Sequence, residues 1–217
     1  MAMLVIINAT VYHARVTTAQ TPTRNRGSRR TEILDAAARL FAARGFHGVS
    51  IEEIGAAVGT SGPALYRHFS GKEALLAEML LDVSERLHAS GAARVTAAPD
   101  AEQALDALLA GQVEFALGHP ALITVHDREL GNVPEPARRQ IRRLQRLYVE
   151  EWVTVLSELY PRCAPSRLRA ATHAVFGLLN STPHSAGELP AEAMAPLLRD
   201  MARAALAGAL GRDAVTR

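Results

Sequence analysis

Lysine is almost missing from this chain: of 24 basic residues only Lys72 is not an arginine. Cysteine is limited to Cys163, which excludes an internal disulfide and any cysteine-based metal motif, so a reducing cytoplasm is the expected compartment. Aromatics make up 5% of the residues and runs of β-branched residues are sparse, which argues against a strand-built core. The longest uncharged stretch, residues 170–187, is interrupted by His173, Asn180, Thr182, Pro183 and His184, so it is no membrane span. There is no G-x-S-x-G elbow, no phosphate-binding Walker loop and no histidine pair around a glutamate on a helix. His126 and Asp127 are adjacent, which points them to different helix faces, and no third ligand stands at a suitable spacing. No catalytic residue, cofactor or metal is therefore expected.

What remains is ample for a folded protein. With 217 residues, 48% of them hydrophobic, the chain can bury a sizeable core, and its richness in alanine, leucine and arginine predicts an all-α fold. The net charge is only +2, but residues 24–72 carry eight basic against four acidic side chains. The positive excess therefore sits in the first part of the chain, where nucleic-acid binding would need it. Residues 1–23 lack a basic leading segment and their apolar run is short and β-branched; they are expected to be a tail, with translation starting further in as one hypothesis.

Helix signals follow the basic arm RNRGSRR. Ile33, Ala37, Leu40 and Phe41 recur at helical spacing up to Gly45, a candidate left-handed cap. Ser50 and Glu53 form an S-x-x-E capping box that opens a short second helix with an Ile51, Ile54, Val58 stripe, closed by Gly59. Ser61 is placed to cap a third helix with Pro63 in its first turn, and Ser70 with Glu73 repeats the capping box before a long fourth helix. Two short helices joined by a tight turn make a helix-turn-helix pattern. At 100° per residue, turning Leu65 inward brings Phe69 with it and points Pro63, Tyr66 and Arg67 outward.

The stretch ILDAAARLFAARGFHGVSIEEIGAAVGTSGPALYRHFSGKEALL, with its A-x-x-L-F-x-x-x-G-F and L-Y-x-H-F-x-x-K-E segments, resembles the DNA-binding domain of the tetracycline-repressor (TetR) family. The resemblance implies a homodimeric transcription regulator, usually a repressor, that binds a palindromic double-stranded operator and is released from it by a small molecule. It divides the chain into a tail (1–23), a helix-turn-helix domain (24–72) and a ligand-binding and dimerisation domain (73–217). The DNA-facing set it implies is Ser50, Ser61, Gly62, Pro63, Tyr66, Arg67, His68 and Lys72. Where members of the family often read Lys-Gly-Thr, this chain has Gly62, Pro63 and Ala64, which leaves fewer polar groups for base edges.

Each of these residues has two readings. Lys72, behind the expected Ser70 cap, adds a cation to a helix N-terminus; a phosphate would join the two, while a solvated lysine offset by Glu73 is the alternative. Arg67 suits a base contact, such as one to guanine, or a second phosphate. Pro63 suits a thymine methyl or only stiffens the helix. Tyr66 suits a backbone contact or packing on the first helix, and His68 a structural role or a phosphate. The arginine arm is either a phosphate or minor-groove contact or a solvated tail.

From about Leu76 onward, further helices divided by proline and glycine suffice for a bundle around a cavity. His119, His126, Tyr148, Trp152 and His173 are the candidate ligand contacts, with core or interface roles as the alternative. Arg138, Arg139, Arg142, Arg143 and Arg146 form a basic helix face, either solvated or attracting an anionic effector such as an acyl-coenzyme A. That class is suggested by the similarity of HAVFGLLNSTPHS to TetR-like regulators associated with lipid catabolism. By the resemblance, the last two helices, with Ala170, Ala174, Val175, Leu178, Met194, Leu197, Leu198, Met201 and Leu206, form the dimer interface. A DNA-binding architectural protein without a sensor is the rival reading, distinguished by a fully packed bundle.

Overall fold

The computed structural model describes residues 26–185 and 189–211, with side chains from Arg29 onward. The expected tail and the first part of the basic arm lie outside these residues. Every regular element described is helical, in agreement with the all-α expectation.

The N-terminal unit is α1 (Arg26–Arg44), α2 (Ile51–Ala57) and α3 (Gly62–Leu65). The chain leaves α1 through Gly45 at φ 74° and leaves α2 through Gly59 at φ 64°, both left-handed values that favour glycine. The capping box at α2 is complete: Ser50 Oγ accepts from Glu53 N, and Glu53 returns its carboxylate to the Ser50 N–H at 2.7 Å. That bond and the Arg44 guanidinium hold the exposed Glu53 carboxyl below its usual pKa.

The helix α4 (Lys72–Ala97) does not begin as the sequence predicts. Gly71, not Ser70, is its N-cap, with an extended backbone and no side-chain cap bond. The start of α4 is held instead by Lys72 itself. Its Nζ donates to the carbonyls of Phe46 at 2.7 Å and Val49 at 2.8 Å, and it lies 4.4 Å from the centre of the Phe46 ring. Arg30 does comparable work at the other end. It binds the Glu78 carboxylate, donates to the His68 carbonyl at 3.0 Å and covers the Phe69 ring, so α1, α4 and the turn after α3 are tied together.

Seven turns of α4 lead into the bundle, where it packs most extensively on α7 (Glu135–Leu159) and α5 (Ala101–Gly118). Asp100 caps α5 by accepting from Gln103 N, as its spacing predicts. The remaining helices are α6 (Pro120–Glu129), α8 (Pro165–Leu179), the short α9 (Thr182–Ser185) and α10 (Ala191–Leu210).

Two hydrophobic cores result. One lies within the bundle around Leu108, Trp152, Leu156, Leu179 and Leu206. The other joins Ile33, Phe41, Ile54, Leu65 and Phe69 to Leu75, Leu76 and Leu80 of α4, and reaches Leu122 and Val125 of α6. The N-terminal core thus runs past residue 72 and includes a helix from the larger unit. No single helix among the described residues is long and apolar enough to cross a membrane.

Candidate nucleic-acid interface and sensor cavity

The outer side of α3 is built by what its inner side buries. Leu65 is 0% and Phe69 3% exposed, whereas Tyr66 is 54% exposed. Ser61, Pro63 and Arg67 are exposed as well. The Arg67 guanidinium has no ion pair or hydrogen bond among the described residues, unlike those of Arg29, Arg30 and Arg44, which are all engaged internally. An unpaired guanidinium beside an exposed phenol, on a face opposite a buried anchor, suits contact with a polyanion. Ser61 is the N-cap residue of α3, but its hydroxyl makes no cap bond and is left over.

Three other residues of the expected set sit differently. Gly62 is buried, and the space a side chain would fill there is occupied by Glu52, whose Cγ lies 3.3 Å from a Cβ built on the glycine; Gly62 therefore serves the α2–α3 packing. His68 is half-buried, with its carbonyl taken by Arg30. Lys72 spends two of its three N–H groups on the α1–α2 loop, leaving one. Ser50 accepts at its hydroxyl oxygen from Glu53 and stays exposed, so its own proton is unused by that bond.

In the bundle, a cavity of about 240 Å³ opens between α4, α5, α6, α7 and α8. Of the candidate ligand contacts, His126, Tyr148 and His173 line it. Trp152 does not: it is 0% exposed and lies behind Phe176, at 5.0 Å between ring centres in an edge-on arrangement. His119 lies apart, in an open groove between α1, α4 and α6. His126 faces the Gln145 amide at Nε2 and Asp127 Oδ1 at 3.5 Å from Nδ1.

Gln112, Gln145 and Asn180 also line the cavity and carry no sequence motif. The only available signal was that Gln112 and Asn180 interrupt apolar helical runs. Tyr148 O–H donates to Gln112 Oε1 at 3.1 Å, and Gln112 Nε2 donates to Asn180 Oδ1 at 2.8 Å. Burial pushes the Tyr148 phenol up to about 12, with the Trp152 indole and Arg94 acting in the opposite direction.

The cavity and the N-terminal unit share α6. Leu122 and His126 face the cavity, and three residues further on the buried Glu129 accepts the Phe46 N–H at Oε1 and the Asn132 amide at Oε2. A cavity, the helix α6 that borders it and a three-helix head with an exposed Arg67 are thereby joined in one chain.

Residues 33–79 match the family of bacterial regulatory proteins called tetR, and residues 98–206 match a tetracyclin repressor-like C-terminal domain. The chain belongs to the TetR family. Among relatives of this TetR-family protein, the HTH-type transcriptional repressor KstR2 of Rhodococcus jostii is 29% identical over 135 residues, which is 62% of this chain and 66% of that protein. The match thus spans a little less than two thirds of the relative's length. Among solved structures, the ketosteroid transcriptional regulator KstR2 of Mycobacterium tuberculosis superposes with a TM-score of 0.72 at 22% identity, covering 85% of this chain and 96% of that one. AibR in complex with isovaleryl coenzyme A and operator DNA superposes with a TM-score of 0.66 at 22% identity, covering 80% and 97%. At these identities the likeness establishes the fold.

The outward face of α8 and α10 differs from the list the sequence suggests. Val175, Met194, Leu198 and Leu206 are buried inside the protomer. The exposed residues are Ala170, Ala174, Ala204, Ala205 and Gly208, with Leu197 and Met201 alongside, around a shallow depression of about 670 Å³.

Proposed function

We propose that this TetR-family chain is a sequence-specific, operator-binding transcriptional repressor, released from DNA by a small-molecule effector. The observation that carries the reading is the unpaired, exposed Arg67 beside Tyr66, opposite the buried Leu65 and Phe69. Arg67 acts as base reader, Pro63 as an apolar neighbour, and Ser50, Ser61, Tyr66 and the remaining N–H of Lys72 as phosphate contacts. Two copies pair through the exposed small residues of α8 and α10, setting the recognition helices about 34–36 Å or a related distance apart on a palindromic site.

The effector enters the cavity between α4 and α8. An acyl-coenzyme A or another lipid-derived metabolite is the class supported by the fold shared with AibR, whose complex holds such a thioester. Its anionic part would lie outside the cavity, toward Arg142, Arg143 and Arg146 of α7, which are exposed and form no ion pair among the described residues. Displacing α6 from within the cavity shifts Glu129 and hence the α1–α2 loop, so the ligand favours a state in which the two heads no longer fit successive grooves. A 100-fold preference for that state corresponds to about 2.7 kcal/mol, enough to empty an operator of ordinary affinity. The cavity weighs against an architectural protein without a sensor.

Selection of bound fragments from genomic DNA, followed by titration of the complexes with acyl-coenzyme A esters, tests the reading. Recovery of a palindrome and its release by an ester are expected; binding to all fragments alike would overturn it.

A further inference from the structure

The cavity carries a polar relay with a direction. The Trp152 indole N–H has no hydrogen-bond partner, and its ring meets the Tyr148 ring edge-on at 6.3 Å between centres. The Tyr148 phenol gives its proton to Gln112 Oε1 at 3.1 Å, which orients the Gln112 amide so that Nε2 donates to Asn180 Oδ1 at 2.8 Å. The Asn180 carbonyl has then accepted one bond, and its Nδ2 has no hydrogen-bond partner among the described residues. The free end of the relay is therefore a donor, on the cavity wall.

Charge narrows the choice further. No lysine or arginine lines this cavity among the described residues, and Asp127 contributes a carboxylate. An anionic group inside would find no permanent cation, only the imidazoles of His126 and His173, and would lose its hydration.

We propose that Asn180 is the specificity-determining residue of the sensor, donating to an uncharged carbonyl oxygen on the part of the effector that enters the cavity. This rests on the effector-release reading above and names the chemistry of its site. The volume equals that of roughly eight water molecules at liquid density, so the buried part is compact.

Matched probes test it on the full chain. 4-tert-Butylcyclohexanone carries the carbonyl, its exocyclic methylene isostere replaces oxygen by CH2, and 4-tert-butylcyclohexanecarboxylate adds a charge. Trp152, the only tryptophan, reports binding through its contacts with Tyr148 and Phe176. The ketone is expected to bind about tenfold more tightly than the methylene isostere, the worth of one hydrogen bond that leaves no donor unpaired, and the carboxylate not at all.

Asn180→Asp, which keeps the shape and the Gln112 contact but replaces the donor by a carboxylate, should erase the preference, with some loss of melting temperature because it adds a charge at a half-buried site. Gln112→Met, which leaves Asn180 in place but unoriented, should reduce it. Equal binding of ketone and isostere, no ketone binding, binding of the carboxylate, or a preference that survives in Asn180→Asp would each overturn the proposal. Operator binding measured in the same preparations separates the two readings: DNA binding without ketone preference defeats only this inference, whereas absence of DNA binding defeats the regulator.

Discussion

Glu129, at the end of α6, accepts the backbone N–H of Phe46 at 3.1 Å across 83 positions of sequence. The bond is buried and joins the helix that borders the cavity to the loop that Lys72 holds from the other side. One loop thus receives both the end of α6 and the start of α4.

Replacing Glu129 by alanine leaves that N–H without an acceptor in a dry site. Urea unfolding should show a loss of about 1–3 kcal/mol, and the Phe46 amide should exchange hydrogen faster. Unchanged exchange at Phe46 would break the proposed link between α6 and the DNA-binding head.

Lys72→Ala removes two hydrogen bonds and a cation–π contact, so it should destabilise the N-terminal unit by about 2 kcal/mol. If its third N–H meets a phosphate, as proposed, the slope of log affinity against log salt should also fall by about one. A fall in melting temperature with an unaltered slope would leave Lys72 a purely structural fastener.

Gly91 on α4 carries the Tyr148 ring: a Cβ built there would stand 2.5 Å from Tyr148 Cε2. Gly91→Ala should therefore cost about 1–3 kcal/mol through overpacking. Trimming the ring in the Gly91→Ala/Tyr148→Leu double variant should recover part of that cost, and a double-mutant cycle with purely additive effects would refute the contact.

Tyr148 also predicts an alkaline limit. Its native phenol holds its proton up to about 12, against 10.0 when unburied. Between those values the unfolded chain has lost a proton that the native chain keeps, so stability declines as pH rises through that window, by on the order of 2 kcal/mol in all. Tyr148→Phe lacks this decline; equal pH slopes for both proteins, followed by chemical denaturation from pH 9.5 to 12, would contradict it.

What was legible in the sequence was mostly local. The Ser50–Glu53 box, the Asp100 cap, the glycine stops at Gly45 and Gly59, and the inward Leu65 and Phe69 each depend on residues a few positions apart, and all are present. The Ser70 cap does not form, and the start of α4 is held through Lys72 by carbonyls 23 and 26 residues away, which no local pattern encodes. The same limit hid Glu129, Gln112 and Asn180, whose partners lie 83 and 68 residues away in the sequence. Trp152 was visible as a large amphipathic side chain, but periodicity does not distinguish a cavity wall from the layer behind it.

The most direct test of the central claim is competition between a selected operator and random duplex, measured for the wild-type protein and for Arg67→Ala. Wild-type protein should prefer the operator by about a thousandfold or more, and Arg67→Ala should lose at least about tenfold of that preference with its melting temperature unchanged. Equal affinity of the wild-type protein for both duplexes, at any ionic strength, would contradict the account.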